Sequence, residues 1–159
     1  MIFRFSSKIF SDFLTNLDTT MANGSIAMYS GSPPPSPDTA VAGYGTYLGR
    51  VTAAGVGWTA GSPTGGINTA APSAGTPTMS KEPAENWVFT CSATGTIGWG
   101  RYVANPTDAG GASVILPRMD FDVGLTGSGA ACTMTKITFT TIGETGTVQT
   151  FTLPFTNRN

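Results

Sequence analysis

The chain has 159 residues, of which 11% are charged, with a net charge of −1 and no histidine. That length implies one domain, with a core large enough to fold without disulfides or a metal. The eight Lys and Arg residues are scattered from Arg4 to Arg158, so no phosphate-tracking face forms and nucleic acid is excluded as a partner.

Low charge also means weak self-repulsion, so much of the surface is expected to sit against other protein. Assembly is expected over a plain monomer. Without histidine, Ser-His-Asp and Cys-His arrangements and His-ligated metals are excluded. No apolar run approaches the roughly 20 residues that a spanning helix needs, and no membrane partner is expected.

Residues 1–20, MIFRFSSKIFSDFLTNLDTT, read as an amphipathic helix, and 1–22 as an N-terminal arm. Ser6 or Ser7 can N-cap it, Ile9, Phe13 and Leu17 fall four apart, and Phe10 and Leu14 widen the stripe. Asn23-Gly24 ends it, since both residues tolerate the left-handed conformation. A helix this short is marginal alone, so it docks either on its own sheet or on a neighbouring subunit. Lys8 is the one cation of its polar face, which argues against a membrane anchor. The segment has the outline of a signal peptide, but Ser11, Asp12 and Asn16 break its apolar run. No small-x-small site follows Leu17, so secretion by signal peptide is rejected.

Residues 23–159 read as a single β domain. Strands are predicted over 25–30, 46–53, 86–92, 97–104, 113–123, 132–142 and 147–155, dense in Thr, Val, Ile and Phe. The last two form an antiparallel hairpin around GETG (143–146). Ile137 and Phe139 share a face with Thr133 and Thr135, opposite Met134; Phe151, Leu153 and Phe155 share the apolar face of the last strand. Pro154 puts that strand at an edge or ends it. The expected fold is mainly β, an antiparallel β-sandwich of jelly-roll type with one short N-terminal α-helix.

Two long Gly/Pro-rich connections interrupt this pattern, 31–45 and 54–80. The first, GSPPPSPDTAVAGYG, carries three successive prolines. Proline fixes a loop before contact, so little entropy is lost on docking, and Tyr44 and Tyr47 add contact area at low entropic cost. The second has only Val56, Trp58 and Ile67 as anchors and is either disordered or held by a partner. The expected interface residues are Ile9, Phe13, Leu17, Pro33, Pro34, Pro35, Tyr44, Tyr47 and Trp58.

Reactive chemistry is hard to find. Asp120 and Asp122 share one strand face, opposite Phe121 and Val123, and read as two solvated carboxylates rather than a calcium or acid–base pair. Gly43, Gly45 and Gly49 lack the lysine and following helix of a phosphate loop. Cys91 and Cys132 lie in separate strands and read as buried free thiols. Trp58, Trp87, Trp99, Tyr29, Tyr44, Tyr47 and Tyr102 are core or interface anchors, with a sugar-binding surface as the alternative. No catalytic residue, cofactor or metal site is expected.

Several segments in order carry a family resemblance: the short helix, NGSIAMYSGSPPPSPDTA, GTYLGRV, IGWGRYVANPTDAGGASV and the Thr-rich closing hairpin. The chain resembles a family of small structural proteins of tailed bacteriophages. Its pattern is a helix, Asn-Gly, a strand ending in Tyr-(Ser/Thr)-Gly, a Pro-containing loop with an Asp, a Gly-Thr-x-Leu strand, and later Gly-Trp-x-Arg-(Phe/Tyr). Asn23, Gly24, Tyr29, Gly31, Asp38, Gly45, Leu48, Gly98, Trp99 and Arg101 match it, in turn, strand and packing roles. The triple proline at 33–35 and the added Tyr44 and Tyr47 depart from it, on the partner-facing surface. The resemblance implies a virion protein assembled in the host cytoplasm. It would be a decoration or cement protein on the capsid surface, bound to the major capsid protein and to copies of itself as a homo-oligomer. A tail or fibre component and a carbohydrate-binding host-attachment module are the alternatives.

Overall fold

Ser6, in extended conformation (φ −72°, ψ 154°), precedes helix α1 (Ser7–Met21). The structure, a computed structural model, describes residues 6–70, 72 and 78–154. Residues 1–5 of the expected helix and Phe155 of the expected last strand therefore lie outside the described residues. Ser6 opens the helix through its backbone carbonyl, which accepts from Ile9 N at 3.1 Å, and not through its side chain. Leu14 and Met21 are fully buried and Phe10 and Leu17 half-buried, while Ile9 and Phe13 are 54% and 51% exposed. The buried line is thus 10, 14, 17 and 21, rotated from the expected stripe through Ile9 and Phe13. Met21 draws that line toward the barrel.

Of the two residues expected to turn left-handed after the helix, only Asn23 does so, at φ +56°. Gly24 serves another purpose. A Cβ there would stand 2.2 Å from the carbonyl oxygen of Val103. Glycine lets the chain enter the sheet at this crowded point.

Eleven strands follow among the described residues. They are β1 (Ser25–Tyr29), β2 (Tyr47–Ala53), β3 (Thr69–Ala70), β4 (Thr78–Lys81), β5 (Trp87–Cys91), β6 (Gly95–Thr96), β7 (Trp99–Val103), β8 (Arg118–Leu125), β9 (Cys132–Met134), β10 (Thr138–Phe139) and β11 (Thr145–Pro154). Pairing runs β11-β5-β2-β1-β7-β8-β9 and returns from β9 to β11, closing a seven-strand barrel. The fold is mainly β with one helix, as expected, but the strands close on themselves where a jelly-roll-like sandwich was predicted. The long β11 makes the closure possible. Its residues 145–147 pair with β5, the 148–151 stretch with β9, and 152–154 with β4, which holds β3 outside the ring. All pairs are antiparallel except β8–β9, which is parallel with Val123 opposite Cys132. Full closure removes the free edges that an open sheet leaves.

Two predicted strands are cut. The one expected over 113–123 begins at Arg118, because Ser113 Oγ accepts from Ile115 N (3.3 Å) and Leu116 N (3.2 Å) and folds that stretch into a turn. The one expected over 132–142 breaks into β9, which pairs with β11, and β10, which pairs with β6. Met134, expected opposite the apolar face, is fully buried in the core.

Alternation in β5 sends Trp87, Phe89 and Cys91 inward, and they join Ile26, Met28, Val51, Tyr102, Cys132, Met134 and Phe151 in one core. Phe151 lies 5.7 Å from the Trp87 ring and 5.1 Å from that of Phe121. Burying each such side chain contributes roughly 1.5–3 kcal/mol. Cys91 and Cys132 are buried free thiols, and burial pushes the Cys132 thiol up to about 12.

Of the expected connection 54–80, residues 71 and 73–77 lie outside the described residues, and 54–70 is ordered by bonds within its own chain. Trp58 Nε1 donates to Asn23 O (3.0 Å), Ile67 N to Gly24 O (2.9 Å), and Tyr102 Oη to Ile67 O (3.0 Å). The Glu85 carboxylate accepts from Asn68 N, Asn68 Nδ2 and Trp87 Nε1 at 2.7–2.8 Å. No helix among the described residues is long and apolar enough to cross a membrane.

Candidate functional site

Every residue of β1 and of β7 is buried, so both faces of these strands are covered. Ile26, Met28 and Tyr102 fill the inside. Ala27, Tyr29 and Trp99 form a second apolar cluster outside, against Val41 and Tyr44 of the proline-rich loop. That loop, 31–45, lies on the barrel wall.

Two buried guanidinium forks hold it there. Arg101 of β7 binds Asp120 of β8 through Nε (2.6 Å) and Nη2 (2.7 Å), and its Nη1 donates to Thr39 O at 3.1 Å. Arg118 binds Asp108 through Nε and Nη2, each at 2.6 Å, and its Nη1 donates to Pro37 O at 3.3 Å. Both forks use two donors for a carboxylate and a third for a loop carbonyl, a geometry that arginine supports and lysine does not. Burial pushes the Asp108 carboxyl up. The Arg118 hydrogen bond, the Gly110 N–H and the charges of Arg118 and Arg101 outweigh this and hold it below the usual carboxylate range.

Other bonds complete the attachment. Trp99 Nε1 donates to Ser30 O (3.1 Å) and Tyr44 O (2.9 Å), Val41 N to Gly110 O (3.0 Å), and Ser113 N to Asp38 O (2.9 Å). Gly45, at φ +114°, would place a Cβ 1.9 Å from Ser30 O, so this crossing needs glycine. Asp120, expected as a solvated carboxylate, is therefore a buried ion-pair partner, its side chain 7% exposed under the loop. Asp122 shares its face as expected but stays exposed, accepting from Ala131 N at 3.0 Å.

The nine residues expected at an interface separate into three places. Phe13 and Leu17 meet Pro37, Met119, Phe121 and Leu153 around an apolar groove of about 400 Å³ between α1 and the barrel, with Ile9 exposed on the same helix. In the loop, Pro33 and Pro35 are exposed but Pro34 is buried, and Tyr44 is half-buried against Trp99; beside it Tyr47, the first residue of β2 and 39% exposed, meets Tyr29 edge-on at 5.7 Å. Trp58 is half-buried with the Arg50 guanidinium 4.8 Å above its ring. Trp87 and Trp99 are fully buried, so they belong to the core and not to a sugar-binding surface.

Sequence reasoning missed Val114 and Ile115, each 86% exposed at the tip of the turn before β8. Their apolar alternation reads as strand, and only the Ser113 turn reveals otherwise. Among the described residues, no three His, Cys, Asp or Glu side chains come together as a metal site. No protein-family model matches the chain, no curated protein matches it, and no solved structure matches it.

Proposed function

We propose that this chain is a structural protein of a tailed-bacteriophage virion, a decoration or cement protein that stabilises the head by binding major capsid subunits and its own copies. The observation that carries the reading is the pinned proline-rich loop. Two forks and a tryptophan hydrogen bond hold it on a closed barrel, while Pro33, Pro35 and Tyr47 face outward. A surface set before contact loses little conformational entropy on docking, which suits many permanent contacts without turnover. Exposed apolar side chains at Ile9, Phe13, Val114 and Ile115 add contact area. The motif resemblance supplies the virion context, and the low net charge is consistent with close packing of copies.

The test is a loop variant. Replacing Pro34 and Pro35 by glycine relaxes the loop while the forks remain. Fewer copies on particles, with the unfolding free energy from urea titration within about 1 kcal/mol of wild type per site, is the expected result. Unchanged incorporation would sink the reading.

A further inference from the structure

The register places four residues in a row across the outer face of the barrel. Arg50 of β2 stands beside Ala27 of β1, Ala27 beside Arg101 of β7, and Arg101 beside Asp120 of β8. Two arginines thus flank an alanine. The short side chain leaves a cavity of about 130 Å³ between them, open to solvent, with Tyr29, the exposed Tyr47 and Gly110 in its lining.

The charges around this cavity do not balance. Arg101 is paired with Asp120, and Asp108, which also lines the cavity, is paired with Arg118. Arg50 has no carboxylate within ion-pair distance among the described residues; its guanidinium donates to the Ser25 hydroxyl and sits over the Trp58 ring, 4.8 Å from its centroid. Three arginines against two aspartates leave one positive charge in excess (3 − 2 = 1). The Asp108 oxygens, which would otherwise repel an anion, are engaged by Arg118 and by Gly110 N. The Tyr29 phenol lies within the fields of both Arg101 and Arg50, although burial still pushes its pKa up.

We infer that the gap above Ala27 is a binding site for a small oxyanion, a carboxylate or phosphate group, held by Arg50 with Arg101 behind it. An ionised oxygen acceptor there would take the charge-assisted hydrogen bonds that Arg50 does not spend on Ser25. The site is independent of the virion reading. A free ion and an acidic group on another molecule share the chemistry.

Titration separates these cases. A site for a free ion binds inorganic phosphate or acetate at least as tightly as a short peptide ending in aspartate, whereas a site for a group on another molecule binds that peptide more tightly. Inorganic phosphate, acetate and the peptide are each added to ¹⁵N-labelled protein at constant ionic strength held with chloride, following Arg50 Nε–H and the Gly110 amide. Saturable shifts at both positions are expected, with the three ranked by their midpoints. R50A should weaken binding about tenfold or more, the loss of a hydrogen bond to a charged group. A27V, which keeps both arginines and fills the gap, should abolish it. Should either variant fail to fold, the wild-type titration still decides. Non-saturating shifts, or shifts spread evenly over the surface cations, would overturn the assignment, as would unchanged affinity in a folded A27V.

Discussion

Arg101 and Asp120 face one another across the β7–β8 register and meet at two points, 2.6 and 2.7 Å, with side chains 1% and 7% exposed. Their pairing joins barrel and loop, because the same guanidinium reaches Thr39 O. Removing one partner of a buried pair leaves an uncompensated charge, at a cost of about 3–5 kcal/mol. Arg101→Ala should therefore lower stability by that order in urea unfolding and speed proteolysis within 36–44. Replacing both residues by apolar ones of similar size should restore much of the stability but not the loop protection. A single variant as stable as wild type would show that the fork is not holding the loop.

The second fork gives a pH dependence. The Asp108 carboxyl is held below its ordinary value in the folded protein, so its contribution is present above the unfolded pKa of about 4. It is lost as pH falls through the lowered folded value. The stability gap between wild type and Asp108→Asn should be widest near neutrality and shrink on acidification. Unfolding midpoints across pH 2–7 measure it. A constant gap would contradict the assignment.

Cys132 is fully buried, and its thiol is raised to about 12 by burial first and the Asp122 charge second. The thiolate is the reactive species, so a thiol reagent at mild alkaline pH should modify Cys132 only as fast as the protein opens. Both cysteines should react at once in denaturant. Rapid labelling of folded protein would mean that the barrel seam at β9 opens locally.

Much of the strand pattern was legible because runs rich in Thr, Val, Ile and aromatic residues stand between turn residues, although a clean period of two in burial is seen in β5 and not in β1 or β7, which are buried on both faces. The helix was legible too, though its buried line was placed one residue off, since Met21 lay beyond the stripe as read. What alternation cannot reveal is the cover on a strand's second face. Arg101 and Thr39, or Arg118 and Pro37, are far apart in sequence, and nothing local marks them as partners. Barrel closure rests on β11 meeting β5 and β9 in succession, a pairing choice that an apolar pattern leaves open. The proline-rich loop was read as an exposed connection for the same reason. Its prolines were visible, and the guanidinium forks beneath it were not.

The most direct test of the virion reading is a count. Purified protein is mixed with particles lacking it, and the bound copies are weighed on a quantitative gel. Saturation at tens to hundreds of copies, commensurate with capsid symmetry, is the result predicted for a head cement protein. A handful of copies, or none, would contradict it and point instead to the tail.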